Sequence, residues 1–229
     1  MVIEPVIDAL PFIHVLAGIV GLVAALIAAS NRKGSRVHRR IGTVFFWSML
    51  TIGVTAIPLT FFRPNLFLFF IALFSSYMAY AGYRRGRSTY TPNTVDLLVA
   101  MAMVSVALVM IGFGFVMIFG GRGLGWALVA FGGLGFAFGL GDTLETRRAR
   151  TRMQKVQVHL SRMLGGTIAT ITAVLVQQVT PLLQAEWAHI VLWLGPTIIL
   201  TPLIVLWQIR IQKTGKFRLL PPTKESQPV

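Results

Sequence analysis

Hydrophobic residues along this chain gather into long unbroken runs, not into the short alternating or amphipathic patterns of a water-soluble domain. Seven such runs cover residues 6–29, 37–62, 65–83, 94–119, 124–141, 156–180 and 187–208. A helix needs about 20 predominantly apolar residues to cross the hydrocarbon core of a bilayer, so each run predicts a membrane span. The connections between them are too short to fold as domains. The pattern therefore predicts an all-α integral membrane protein, a bundle of about seven transmembrane helices forming one domain over residues 1–209, with a basic and then proline-rich tail over 210–229. The fifth run is dense in glycine; if it enters and leaves on one side as a re-entrant hairpin, the count falls to six.

Composition agrees with that class. Hydrophobic residues make up 55% of the chain and charged residues only 12%, where a soluble protein has about a quarter charged. The net charge of +14 would point to nucleic acid if the basic residues shared one face. Here they alternate between connections, so no nucleic-acid partner is expected. Arg32, Lys33, Arg36, Arg39 and Arg40 lie between runs one and two, Arg84, Arg85 and Arg87 between three and four, and Arg147, Arg148, Arg150, Arg152 and Lys155 between five and six. Arg210, Lys213, Lys216, Arg218 and Lys224 follow run seven, while the opposite side has only Arg63 and Arg122. By the positive-inside rule the N-terminus is expected outside and the C-terminus in the cytoplasm, in the cell's inner (cytoplasmic) membrane. The N-terminus opens with Glu4 and Asp8 in place of the cationic start of a secretory signal, so run one is read as a span that is kept. Cysteine is absent, which removes disulfides, thiolate chemistry and iron–sulfur ligation.

Polar groups inside the spans are few and therefore informative, because hydrocarbon tolerates them only where they face protein, a cavity or a cofactor. Run six, VQVHLSRMLGGTIATITAVLVQQVT, has the most of them and reads as the hub of the bundle. Glycines at spacing four, Gly121 with Gly125 and Gly135 with Gly139, predict close helix approach; with no preceding strand and no Gly-Lys-Ser/Thr they do not make a nucleotide loop. Pro92, Asn93 and Thr94 mark the start of helix four, with Asp96 placed to cap its first turn.

Topology sorts the four histidines into two pairs. His38 and His159 stand at the inner ends of helices two and six, His14 and His189 near the outer ends of helices one and seven. Two neutral imidazoles from different helices are a ligand set for six-coordinate haem iron, and a pair in each leaflet would carry electrons across the bilayer. A porphyrin needs small residues near its ligands: by helical spacing His14 shares a face with Gly18 and Gly21, His38 with Gly42 and His159 with Gly166, whereas His189 shares its face with Trp193. Arg39, Arg40 and Arg162 supply cations for propionates on the inner side alone, which favours the inner pair. The competing reading is that these histidines are interfacial hydrogen-bonding groups within a basic patch facing lipid headgroups. Zinc is disfavoured because the carboxylates that would complete a tetrahedral site are sparse.

Arg162 lies one turn beyond His159 on the same face, inside a span. Three roles are open to it: an ion pair with Asp96, Asp142 or Glu145, a snorkelling contact, or an anion or propionate contact. Beyond it Met163, Thr167, Thr170, Val174 and Gln177 form a stripe that has the spacing to line a cavity, or else bonds to neighbouring helices and its own backbone.

Two stretches resemble a known family. FIHVLAGIVGLVAALIAASNRKGSRVHRRIGTVFFWSML resembles the opening of a family of uncharacterised bacterial predicted membrane proteins, in which a helix-one His, a Lys-Gly and a His-Arg before helix two recur. HLSRMLGGTIATITAVLV followed by WLGPTIILTPLIVLW is similar to the late helices of that family. The family is a domain of unknown function, so the resemblance implies no activity; it does imply that His14, His38 and His159 belong to the pattern. The HRR-x-G start of helix two and the opposed histidines give a more distant similarity to two-haem b-type transmembrane cytochromes, from which this chain departs in helix count and in its outer pair.

Three functions follow as expectations. The first is a membrane redox protein binding haem b, with His38 and His159 as preferred ligands and His14 and His189 as a weaker second pair. The second is a non-catalytic accessory or assembly subunit, docking on a membrane protein partner or on a second copy through its glycine-rich and aromatic helix faces. The third is a small-solute carrier using the polar face of helix six, for which no acid deep in a span couples protons. A retinal protein is excluded, since helix seven holds no lysine within its span and Lys155 lies at the mouth of helix six.

Overall fold

The computed structural model describes residues 3–62, 65–87, 89–145 and 151–214. Seven α-helices account for nearly all of them: α1 Ile3–Ser30, α2 Arg36–Phe62, α3 Leu66–Gly86, α4 Thr94–Phe119, α5 Gly125–Glu145, α6 Arg152–Val179 and α7 Glu186–Thr214, with a short 3₁₀ turn at Thr180–Leu182 before α7. All seven are long and apolar enough to cross a membrane. The glycine-rich fifth run is thus one continuous helix rather than a hairpin. Helix α7 continues to Thr214, so Arg210 and Lys213 belong to its last turns; the expected tail beyond it, with Arg147, Arg148 and Arg150, lies outside the described residues.

Helix boundaries follow local chemistry. Asn65 accepts the Leu68 N–H and starts α3. Asn93 and Asp96 exchange reciprocal bonds of 2.9 and 3.0 Å across the first turn of α4, and Thr151 and Gln154 form the same capping box on α6, each satisfying N–H groups that have no partner inside the helix. Between α1 and α2 the chain turns through Gly34, whose φ of +79° lies in the left-handed region open to glycine.

Helices pair as hairpins, α1 with α2, α4 with α5 and α6 with α7, around α3, which touches α2, α4, α5 and α6. Helix α3 is the more buried of the two candidate centres; α6 packs against α1, α3 and α7 and reaches α2 and α5 through side chains, Thr170 to Met49 and Arg162 to Asp142. Aromatic and methionine side chains of α3, α4 and α5, among them Phe74, Met103, Met110 and Phe131, form the main core with Trp193 of α7. Large apolar residues such as Phe12, Phe119 and Ile198 point outward. In lipid that exposure costs nothing, so the bundle relies on close packing and internal polar bonds.

Close packing is most evident along α4 and α5. A methyl group placed on Gly132 would lie 2.8 Å from the Ile111 side chain and 3.1 Å from the Ala107 carbonyl; on Gly139 it would lie 2.9 Å from Val104 and 3.0 Å from the Ala100 carbonyl. On Gly133, one residue along, it would meet nothing. Gly132→Ala and Gly139→Ala are expected to destabilise the folded protein by about 1–3 kcal/mol, and Gly133→Ala to be neutral or stabilising by up to about 1 kcal/mol. Thermal unfolding of the three variants in one detergent checks the contrast.

Candidate functional site

The α1–α2 turn places His38. The last carbonyls of α1 have no helical partner, and two side chains from the connection return to them: the Lys33 ammonium reaches the Ala28 and Ala29 carbonyls at 3.2 and 2.5 Å, and His38 Nδ1 reaches the Ala28 carbonyl at 3.0 Å. Ser35 fixes the register of α2 by accepting the His38 N–H. The Lys-Gly and His-Arg elements noted in the sequence are thus parts of one turn. It closes α1 and holds the imidazole against its end.

Glycines place His159. Gly82 and Gly86, one turn apart on α3, remove the side chains that would separate α3 from α6: a methyl on Gly86 would lie 2.6 Å from His159 Nδ1, and one on Gly82 2.9 Å from Met163 and 3.1 Å from Arg162. The imidazole lies directly on the α3 backbone, with Nδ1 2.7 Å from the Gly82 carbonyl oxygen. His38 and His159 then meet edge to face, with ring centroids 6.2 Å apart and planes at 83°. A carbonyl oxygen only accepts, so Nδ1 holds the proton in both rings and Nε2 of each neutral imidazole retains its lone pair. A main-chain carbonyl on Nδ1 is the usual means of orienting a histidine as a metal ligand through Nε2.

No such meeting occurs at the other end. His14 Nδ1 is 2.9 Å from Thr55 Oγ1 on α2, and His189 Nε2 is 3.4 Å from the Leu183 carbonyl just before α7. Among the described residues no hydrogen bond or ring contact joins His14 to His189. Among the described residues no cluster of three or more His, Cys, Asp or Glu side chains able to hold a metal is found.

Beside the inner pair lies a buried ionic network. Asp142 on α5, only 2% exposed, receives Arg162 Nη2 of α6 at 3.0 Å and Arg85 Nη2 of α3 at 3.2 Å, and accepts the Tyr77 hydroxyl of α3. The Arg162 guanidinium also stacks 3.7 Å above the Phe138 ring. Of the roles open to Arg162, the ion pair with Asp142 is the one its geometry supports; Asp96 is taken by Arg84, which grips it through two bonds of 2.8 and 2.7 Å, with the Tyr80 hydroxyl at 3.0 Å. The side chain of Glu145 lies outside the described residues. Tyr90 is surrounded by Arg84, Arg85 and Lys155 at 5.3 to 5.7 Å from its ring centre, and its carbonyl accepts from Lys155.

The sequence reading missed Arg84, Arg85, Gly82, Gly86, Tyr77 and Lys33 as site residues. Arg84 and Arg85 read as loop cations because they end the span. The signals were present in the small-residue spacing of AGYRRG, and in Tyr80 and Arg84 one turn apart on the face that meets Asp96. The Met163 stripe does not line a continuous cavity: Thr167 and Thr170 bond to carbonyls of their own helix, and Val174 and Gln177 are exposed. Gly166 is filled by Phe45 at 3.3 Å from an added methyl, whereas Gly42, one turn from His38, faces open space.

Asp142→Ala would leave two buried guanidinium groups facing one another, and loss of one partner of a buried ion pair costs about 3–5 kcal/mol. Tyr77→Phe, which removes one bond to a charged acceptor, is expected to cost about 1.5–3 kcal/mol. Denaturation of both variants in mixed micelles tests the ranking, and equal stability of Asp142→Ala and the parent would refute the central role of this network. No protein-family model, no curated protein and no solved structure matches the chain.

Proposed function

We propose that this protein is a b-type haem-binding electron-transfer protein of the bacterial cytoplasmic membrane, its basic face in the cytoplasm, in which His38 and His159 are the residues that would hold the haem iron. The observation that supports this is the inner histidine pair: two imidazoles from α2 and α6, each with Nδ1 bonded to a main-chain carbonyl and Nε2 unprotonated, at a centroid separation of 6.2 Å. Two neutral imidazole nitrogens are the donor set that a haem iron would take. Haem, when bound, supplies a one-electron couple.

The chain's own residues fix the ligands and the electrostatics around them. Ala28 and Gly82 carbonyls set the tautomers, Gly86 admits His159, and the open face at Gly42 gives the side of approach beside His38. Arg39 and Arg40, exposed one and two residues beyond His38, are available to acidic groups at the membrane surface. Arg162 is committed to Asp142 and steadies α6 below His159 instead of meeting a propionate. His14 and His189 are not part of the proposed site. A solute path along α6 has less in its favour, because its threonines bond to their own helix.

A reduced-minus-oxidised optical spectrum of the full chain, purified from cells grown with ample haem, is the direct test. The parent should show a b-type band that both His38→Ala and His159→Ala abolish and that His14→Ala retains. Gly86→Ala, whose methyl intrudes on the His159 ring, should reduce haem occupancy by at least severalfold without unfolding the bundle. A colourless, folded parent preparation would overturn the reading.

A further inference from the structure

We propose that the groove between α1, α6 and α7 holds one acyl chain of an anionic phospholipid, with the lipid phosphate seated on Lys33. The groove has a volume of about 260 Å³ and is lined on α6 from Leu164 to Ile171 and on α7 from Leu200 to Trp207, with Ala29 and Lys33 at its mouth. Seven residues of rise on each helix give a trough about 10 Å long. That is roughly two-thirds of one leaflet's hydrocarbon, half of the about 30 Å core. Between Lys33 at the mouth and the Trp207 ring the walls are aliphatic apart from Thr167, whose hydroxyl is bonded to its own helix. Such a trough accepts a hydrocarbon chain and offers a polar ligand nothing along its length.

The polar end determines the charge of the occupant. Lys33 is the charged residue at the groove, and two of its three ammonium protons go to the Ala28 and Ala29 carbonyls, leaving one for an external acceptor. Burial lowers the pKa of that ammonium, a cost that an adjacent phosphate offsets. The Lys33 Nζ sits 5.7 Å from the centre of the Trp207 ring. Trp207, only 8% exposed, lines the groove beside this cation. Arg32 and Arg36, both exposed on the same connection, extend the positive field that draws anionic headgroups to such a face. A zwitterionic lipid would bring its own cation to this end and gain less.

The inference stands apart from the haem reading, since neither His38 nor His159 lines the groove. The test uses the full chain, stripped of lipid in a mild neutral detergent and titrated separately with phosphatidylglycerol, phosphatidylcholine and inorganic phosphate. Retained lipid is counted by native mass spectrometry and stability is followed by thermal shift. Phosphatidylglycerol should be retained one per chain and raise the Tm; phosphatidylcholine and phosphate should do neither. Lys33→Gln should weaken phosphatidylglycerol binding by about fivefold or more. Leu203→Trp, at a groove position that is 58% exposed and so tolerant of bulk, should abolish the adduct while leaving the lipid-free Tm unchanged. Equal retention of the two lipids, a shift with phosphate alone, or undiminished binding by Leu203→Trp would each overturn the proposal.

Discussion

Asp142 is the fixed point of the bundle. One carboxylate on α5 is held by Tyr77 and Arg85 from α3 and by Arg162 from α6. Between membrane helices, association cannot rest on burying apolar surface, because lipid is as apolar as any leucine. A buried carboxylate, in contrast, has a steep dependence on position: in a low-dielectric interior its charge is tolerable only while its donors stay within bonding distance. The three helices are thereby set in depth and rotation relative to one another. Asp96 repeats the device on α4, with Tyr80 and Arg84 of the same α3, so that one central helix registers its neighbours on two faces.

The histidine pair depends on that register. His159 stands one turn before Arg162 on α6 and rests on the bare backbone of Gly82 and Gly86. A displacement of α6 by even a fraction of a turn would bring a side chain under the ring in place of the glycine gap. His38 is fixed independently, by the tight turn through Gly34 that returns it to the end of α1. The two imidazoles therefore meet because a local turn and a long-range ion pair place them at the same end of the bundle. The outer histidines lack such support, and each takes a separate partner, Thr55 or the Leu183 carbonyl.

Lys33 shows how little distance separates the two polar features of this end. It closes the last turn of α1 beside His38 and at the same time stands at the mouth of the groove under Trp207. Charge that a hydropathy profile assigns to a connecting loop is thus used twice, once to satisfy carbonyls at a helix end and once to give an apolar trough a polar terminus.

The seven spans were legible in the sequence because hydrocarbon imposes a length and an apolar composition that local residues alone must meet. The caps at Asn93 and Asp96, and Asp142 as one of three candidate partners for Arg162, were legible for a similar reason, since a polar group inside or at the edge of a span has few destinations. What the sequence could not settle was rotation about each helix axis and lateral order. Those decide that Asp96 goes to Arg84, that α3 is more buried than α6, that His38 meets His159 while His14 turns to Thr55, and that Gly166 is filled by Phe45 while Gly42 stays open. Depth in the membrane is a property of a segment. Contact between segments is decided by how seven nearly parallel cylinders are turned against one another, and only the packed bundle fixes that.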